Sequence, residues 1–209
     1  MIKVVMTILV ILAAIQTLGV NTSSFLAIFA SAGLAVGMAL SGTLQNFAGG
    51  VILLLLRPYR IGDFITAQGQ SGTVKAIGLF STQLSTPDNR IIYVPNSAIS
   101  SSIVDNYSQP TTRRVDWKVS ISYGDDIDVA RKEILAMLTQ DKRVLNDPAP
   151  IVVLAELGNS AVILSVRAWA ANADYWDLFW NINERIYKEL PQKGIHFPYP
   201  QMDIHVKQN

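Results

Sequence analysis

The stretch Gly33-Leu34-Ala35-Val36-Gly37-Met38-Ala39-Leu40-Ser41-Gly42 decides how the rest of this chain is read. It lies inside a run from Phe25 to Leu56 that has no charged side chain, and it is rich in small residues. Followed upstream, these form two rows at spacings of three and four, Ala27-Ser31-Ala35-Ala39 and Ala30-Gly33-Gly37. Lipid tails give helices no hydrophobic reason to associate, so small residues matter by letting backbones approach and gain dispersion. One row would explain a dimer seam. Two rows suggest a helix packed on both sides, as in a ring of copies whose heterologous contacts close by rotation. Leu34 and Met38 are the bulky pair left at that height, and in a ring they point at the axis, where apolar constrictions close pores by dewetting. Lipid-facing or core packing is the competing reading of the same pair, and spacing alone leaves both open.

Outward from this stretch the chain divides into two materials. Of 17 Lys and Arg and 16 Asp and Glu in 209 residues, only Lys3 precedes Arg57. Val4 to Val20 is a first apolar run, just long enough at about 1.5 Å per residue for a hydrocarbon core of about 30 Å. A secretory signal sequence begins the same way, but no small-x-small cleavage site follows. Asn21-Thr22-Ser23-Ser24 is a polar turn in which Ser23 or Ser24 can cap a second helix. Phe25 to Leu56 would reach about 48 Å as one straight helix, so it is expected to break or bend where Ser41-Gly42-Thr43 and Gln45-Asn46 interrupt it. The expected spans are 4–20 and 25–41. Leu44, Phe47, Val51, Leu54 and Leu55 then form one face of a kinked interfacial helix, 44–56. Lys3 before the first span and Arg57 and Arg60 after the second put both ends in the cytoplasm. No ionisable side chain lies within either span, so proton relays and charged filters have no candidates.

Beyond Arg57, short β-type runs recur at Asp63–Thr66, from Gly72, at Phe80–Leu84, Ile91–Val94 and Ser102–Val104, with a tight turn at Thr86-Pro87-Asp88-Asn89. They imply a small all-β barrel or sandwich over 57–110, and Pro110 marks a connector. Over 111–209 a strand with Trp117, Val119, Ile121 and Tyr123 precedes a helix with Ile127, Ala130, Ile134 and Leu138. Strands at 151–157 and 162–168 follow, then a helix with Phe179, Ile182, Ile186 and Leu190, and a last strand at Met202–Val206. That order, βαββαβ, is the split, ferredoxin-like α/β motif.

Constellations that resemble chemistry have simpler readings. Asp125, Asp126 and Asp128 precede a helix, where carboxylates cap free N–H groups. His196 and His205 form no recognisable metal site, the chain has no Cys, and no phosphate loop or nucleophile elbow is present. Trp117, Trp169, Trp176 and Trp180 read as core or subunit contacts. A net charge of +1 argues against a nucleic-acid partner. No enzyme activity and no cofactor are expected.

Four segments carry a family resemblance: Gly33 to Gly42, Arg57-Pro-Tyr-Arg-Ile-Gly-Asp63, Tyr93-Val-Pro-Asn-Ser97 and Phe197-Pro-Tyr-Pro-Gln-Met-Asp203. The chain resembles the small-conductance mechanosensitive channels of bacteria over essentially its whole length. The resemblance implies a homoheptamer in the inner membrane, with a membrane α-helical pore region, an Sm-like small barrel and a ferredoxin-like domain enclosing a cytoplasmic vestibule. The last strands of seven copies would form a further small barrel. It implies sealing rings at Leu34 and Met38, a kink at Gly42, a glycine hinge pattern continuing to Gly49 and Gly50, and tension coupling through Leu40 and Leu44. Met38 departs from the usual leucine, and Ala30 and Gly49 from the commonest small residue. The resemblance also implies a further helix ahead of Val4 that this sequence does not include; either the chain is a fragment or the tension sensor is reduced, and the difference bears on gating rather than fold.

The reading is therefore a tension-opened, weakly selective channel that passes ions and small osmolytes on hypo-osmotic shock, with itself, lipids and permeating solutes as partners. The alternative is a membrane-anchored Sm-like and ferredoxin-like scaffold for a protein or RNA. A membrane-bound enzyme ranks third, since no convergent His, Asp or Ser set is visible.

Overall fold

The structure is a computed structural model that describes residues 2–18, 21–202 and 204–205. It divides into two compact units, Met1–Asn106 and Tyr107–Asn209.

The first unit opens with α1 (Ile2–Thr17) and α2 (Ser23–Leu56). At 16 residues, α1 is about 24 Å long, and part of the expected span, residues 19 and 20, lies outside the described residues. By length and composition α2 is the helix that qualifies to cross a membrane among those described. The N-terminal cap differs from the expectation. Thr22 takes the cap position without a side-chain bond, and Asn21 Oδ1 accepts from the Ser23 N–H at 3.0 Å, so Ser23 and Ser24 are already helical.

The expected break at Ser41-Gly42-Thr43 is also absent, for α2 is helical without interruption through all 34 residues. The polar side chains that signalled a break bond back to the helix instead. Ser41 Oγ donates to Met38 O at 2.9 Å and Asn46 Nδ2 to Gly42 O at 3.0 Å, so a local cost of about 1 kcal/mol for glycine is met inside a long cooperative ladder. Arg57 ends the helix in the left-handed region, φ 49°, with its N–H on Leu53 O, and Pro58 cannot continue it.

Five short strands follow: β1 (Phe64–Ala67), β2 (Gln70–Ile77), β3 (Ser81–Ser85), β4 (Ile91–Pro95) and β5 (Val104–Asn106), with the short helix α3 (Asn96–Ser100) between the last two. They pair antiparallel in the order β4-β3-β2-β1-β5. Gln68 and Gly69, both at positive φ, make the two-residue turn that suits the strand twist. The turn expected at Thr86 to Asn89 closes the β3–β4 hairpin, with the Asn89 N–H on Thr86 O at 2.9 Å. Ile65, Val74, Leu84, Val94 and Ile99 form a small core shared with Leu53 of α2 and Tyr59.

The second unit holds β6 (Thr112–Ile121), α4 (Ile127–Gln140), β7 (Ile151–Leu157), β8 (Val162–Ala171) and α5 (Tyr175–Glu189). Its antiparallel sheet runs β6-β8-β7. Val115, Trp117, Val119 and Ile121 alternate inward with Leu164, Val166 and Ala168, and α4 and α5 cover that face with Ile134, Leu138, Leu178, Ile182 and Ile186. Leu178 is the buried leader of α5; Phe179 is half-buried and stacks on Trp117 with ring centroids 6.1 Å apart. Tyr123 lies beyond β6 and is exposed.

The expected last strand is not among the described elements. Met202, Ile204 and His205 have no strand assignment, and Asp203 and Val206 lie outside the described residues. Met202 and Ile204 are more than 70% exposed. A strand requires a ladder partner, and the described single chain provides none for them.

Candidate functional site

The N-terminal two thirds of α2 is apolar on most sides yet covered by nothing among the described residues: residues 23–45 are all exposed. A helix this apolar needs lipid or other protein around it. At about 100° per residue, Leu34 and Met38 share one stripe with Ala27, flanked by Ala30, Gly33 and Gly37 on one side and by Ser31, Ala35 and Ala39 on the other. Phe25, Phe29, Val36 and Leu40 fall on the far side. Leu34 and Met38 are 66% and 69% exposed, and Gly33, Gly37 and Gly42 would admit a Cβ without meeting any atom within 4 Å. The stripe with two small-residue flanks is the arrangement a helix needs when it has one identical neighbour on each side.

The C-terminal third behaves differently. Leu44, Phe47, Val51, Leu54 and Leu55, the apolar face read from the sequence, remain exposed. The opposite face, Asn46, Gly49, Gly50 and Leu53, docks on the β-rich unit. Asn46 Oδ1 accepts from the Ser97 N–H at 3.0 Å and from Ser97 Oγ at 2.7 Å. A Cβ on Gly49 would come within 2.8 Å of the Asn96–Ser97 backbone, and one on Gly50 within 2.6 Å of Leu79 O and Asn96 Nδ2. Close approach alone requires glycine at these two positions.

Behind the contact lies a buried polar chain. Asn96, wholly buried, donates from Nδ2 to Gly78 O at 2.9 Å and accepts at Oδ1 from Thr82 Oγ1 at 2.9 Å. The Tyr59 hydroxyl is 3.1 Å from Thr82 Oγ1. Burial pushes that phenol above its ordinary value against the lowering effect of Thr82, so it stays protonated and can donate. Every member has a partner, which turns a desolvation cost into a rigid support. These residues explain two of the quoted motifs: Arg57 to Asp63 stops α2 and supplies Tyr59, while Tyr93 to Ser97 supplies Asn96 and Ser97. Sequence reasoning missed the latch itself. Its signal was available as Asn46, Gly49, Gly50 and Leu53 at spacings of three and four.

The Asn46–Ser97 pair gives a measurable coupling. Asn46→Ala is expected to destabilise the contact by about 1 kcal/mol. In a double-mutant cycle with Ser97→Ala the coupling should be of similar size, because both variants remove the same hydroxyl bond. Additive effects would count against the latch.

The candidate chemical residues fall into structural roles. Asp126 caps α4, accepting from the N–H groups of Asp128 and Val129 at 2.8 and 3.2 Å. Asp128 pairs with Arg131. Asp125, 5% exposed, accepts from the Ser122 N–H, the His196 N–H and His196 Nδ1 at 3.1, 2.6 and 2.9 Å. Among the described residues no group of three His, Cys, Asp or Glu could hold a metal. Burial raises the Asp125 carboxyl, but the bonds from His196 and Ser122 outweigh it and leave it below the ordinary carboxylate value. A depressed carboxylate stabilises the fold above its unfolded pKa and loses that contribution as pH falls through the folded value. Acid unfolding of the second unit, followed by the fluorescence of its tryptophans, should therefore steepen below about pH 4, and Asp125→Asn should flatten that limb. An unchanged acid limb would count against the bridge.

An uncovered small-residue helix latched to an antiparallel β-rich unit and followed by a ferredoxin-like unit defines a class of membrane channel. Three family descriptions match in succession: "Mechanosensitive ion channel, transmembrane helices 2/3" over residues 1–41, "Mechanosensitive ion channel, beta-domain" over 42–109 and "Mechanosensitive ion channel MscS, C-terminal" over 115–197. The small-conductance mechanosensitive channel of Edwardsiella ictaluri is 41% identical over 178 residues, 85% of this chain and 62% of that protein. Its namesake in Helicobacter pylori is 31% identical over 195 residues, 93% and 71%. An MscS family protein of Buchnera aphidicola is 40% identical over 195 residues, 93% and 64%. The crystal structure of Helicobacter pylori MscS in its closed state superimposes with a TM-score of 0.90 at 29% identity, covering 99% of this chain and 82% of that one. Arabidopsis thaliana MSL1 superimposes at 0.75, 25% identical, covering 92% and 72%.

The chain belongs to the MscS family of mechanosensitive ion channels. It spans less than two thirds of the length of some of these relatives, 64% and 62% for the Buchnera and Edwardsiella proteins. The scaffold alternative finds no support in them.

Proposed function

We propose that this chain forms a homoheptameric channel in a bacterial inner membrane, opened by tension and passing ions and small osmolytes with little selectivity. The observation that carries the reading is the Leu34 and Met38 stripe lying between two small-residue flanks on an uncovered helix. In a ring, the flanks meet neighbouring copies and the stripe closes the axis. Tension favours the state that occupies more bilayer area, so gating is a shift between closed and open rings. Likeness to a closed-state relative supports reading this conformation as closed.

Division of labour along α2 follows. Gly42, where a built Cβ meets no atom within 4 Å, lies between the exposed stripe and the docked face and is the bending point. Gly49 and Gly50 hold the lower helix on the β-rich unit, so movement above Gly42 can occur while the latch stays closed. Leu40 and Leu44, away from the axis-facing stripe, carry the contact with outer helices and lipid. The C-terminal units remain in the cytoplasm by the charge pattern at Lys3, Arg57 and Arg60.

Graded suction on excised patches containing the full chain tests the proposal. Stepwise currents should appear at tensions below rupture, with similar permeability for small cations and anions because no charged side chain lies in the constriction. Silence up to the lytic tension would overturn it.

A further inference from the structure

We infer that Met38 is an oxidation site in the constriction, where a peroxide-class oxidant converts its thioether to the sulfoxide and biases the channel toward opening. The inference rests on the pore reading of Leu34 and Met38 given above. Met38 is 69% exposed, more than any other large apolar side chain from Phe25 to Leu44. Its chain neighbours are Gly37 and Ala39, and Gly37 and Gly42 would leave a Cβ without neighbours. Within its own helix the bulky neighbour on that stripe is Leu34, one turn back, and the residues on either side of Met38 are small. Met137, by contrast, is 2% exposed in the core of the second unit.

The chemistry balances without any further reactant. A sulfur lone pair attacks one oxygen of hydrogen peroxide, the O–O bond breaks as the S–O bond forms, and the departing hydroxide takes up the remaining proton to leave as water. Sulfur loses two electrons and the peroxide gains them. The product is a polar, chiral side chain in place of an apolar one. An apolar ring stays dry because it offers water no hydrogen-bond partner. One sulfoxide per copy supplies an acceptor from every subunit at the same height, so a single modification is multiplied by the symmetry of the ring. Leucine could seal the position equally well and has no such chemistry.

Patches carrying the full chain, Met38→Leu or Met38→Gln receive brief opening suction pulses while hydrogen peroxide is perfused, so that the oxidant meets a wetted constriction, and open probability at a fixed sub-threshold suction is then read as the ratio after to before in each patch. Peptide mass spectrometry follows oxygen uptake at Met38 and Met202. The parent chain should gain about tenfold in open probability, the size of change that a modest bias of the gating equilibrium produces. Met38→Leu should not respond although Met6 and Met202 remain, and Met38→Gln should be leaky before any oxidant is added. The inference is overturned if Met38 gains oxygen without a change in open probability, if Met38→Leu responds like the parent, or if Met38 stays reduced while Met202 is fully oxidised. Failure of the underlying pore reading looks different: both Met38→Gln and Met38→Lys would then conduct as the parent does.

Discussion

Leu34→Lys is expected to conduct at zero applied suction. On the proposed reading, Leu34 and Met38 exclude water from the closed ring by offering it no partner, and a Lys ammonium at that height must be either hydrated or buried in apolar surroundings. Burying it costs about 2.5–3.5 kcal/mol on membrane-insertion scales, and the wet, open arrangement relieves that cost. A bias of about 3 kcal/mol moves a two-state equilibrium roughly 150-fold, before any repulsion between copies is counted. Met38→Lys should do the same. The check is resting conductance in patches together with growth on induction, both compared with Val36→Lys. Val36 lies on the opposite side of α2, and its substitution should impair insertion or packing without opening a conductive path. Closed, tension-dependent behaviour in Leu34→Lys and Met38→Lys would remove both residues from the gate.

The second large effect belongs to the latch. Gly50→Val places three carbons where even one would lie within 2.6 Å of Leu79 O and Asn96 Nδ2. Overpacking of this kind costs about 1–3 kcal/mol. Displacing Asn96 also threatens its bonds to Gly78 and Thr82, with a further penalty of about 1–3 kcal/mol for a buried polar group left unpaired. The expected loss is therefore about 2–6 kcal/mol, centred on the contact between α2 and α3. The four tryptophans all lie in the second unit, so amide hydrogen exchange at Asn96 to Ser100 is the appropriate reading. It should accelerate in Gly50→Val and stay unchanged in Gly42→Val, where a Cβ meets no atom within 4 Å. Equal acceleration in both variants would mean that glycine serves helix bending at 50 as well.

Much of this architecture can be read directly from residue pattern. The alternation of Val115, Trp117, Val119 and Ile121 marks a half-buried strand wherever it occurs, and Thr86 to Asn89 encodes a tight turn by local chemistry alone. Features set by distant partners are harder to read. Gly42 and Asn46 look like a helix break because their local preferences oppose helix; the cooperative backbone ladder runs through them, with polar side chains turned back to the Met38 and Gly42 carbonyls, which a count of propensities does not anticipate. Gly49 and Gly50 read from the sequence as part of a hinge pattern, while the Asn96–Ser97 backbone and Leu79 O lying against them give a reason for glycine that no local pattern shows. Asn46 reads as an interruption, although its neighbours at 49, 50 and 53 already trace the face that docks. The last segment, at Met202 to Val206, has strand composition, but composition cannot provide the second strand.

The most direct test uses the absence of cysteine from the chain. Single cysteines at Leu34, Met38 and Val36 are introduced, and a charged, membrane-impermeant methanethiosulfonate is perfused while suction opens the channel. Stepwise, reductant-reversible changes in current are expected for Leu34→Cys and Met38→Cys and none for Val36→Cys, because in the proposed ring the first two line a watery axis and the third faces away from it. Modification of the current at Val36→Cys alone, or thiols at 34 and 38 that react only with a lipid-soluble reagent, would contradict it.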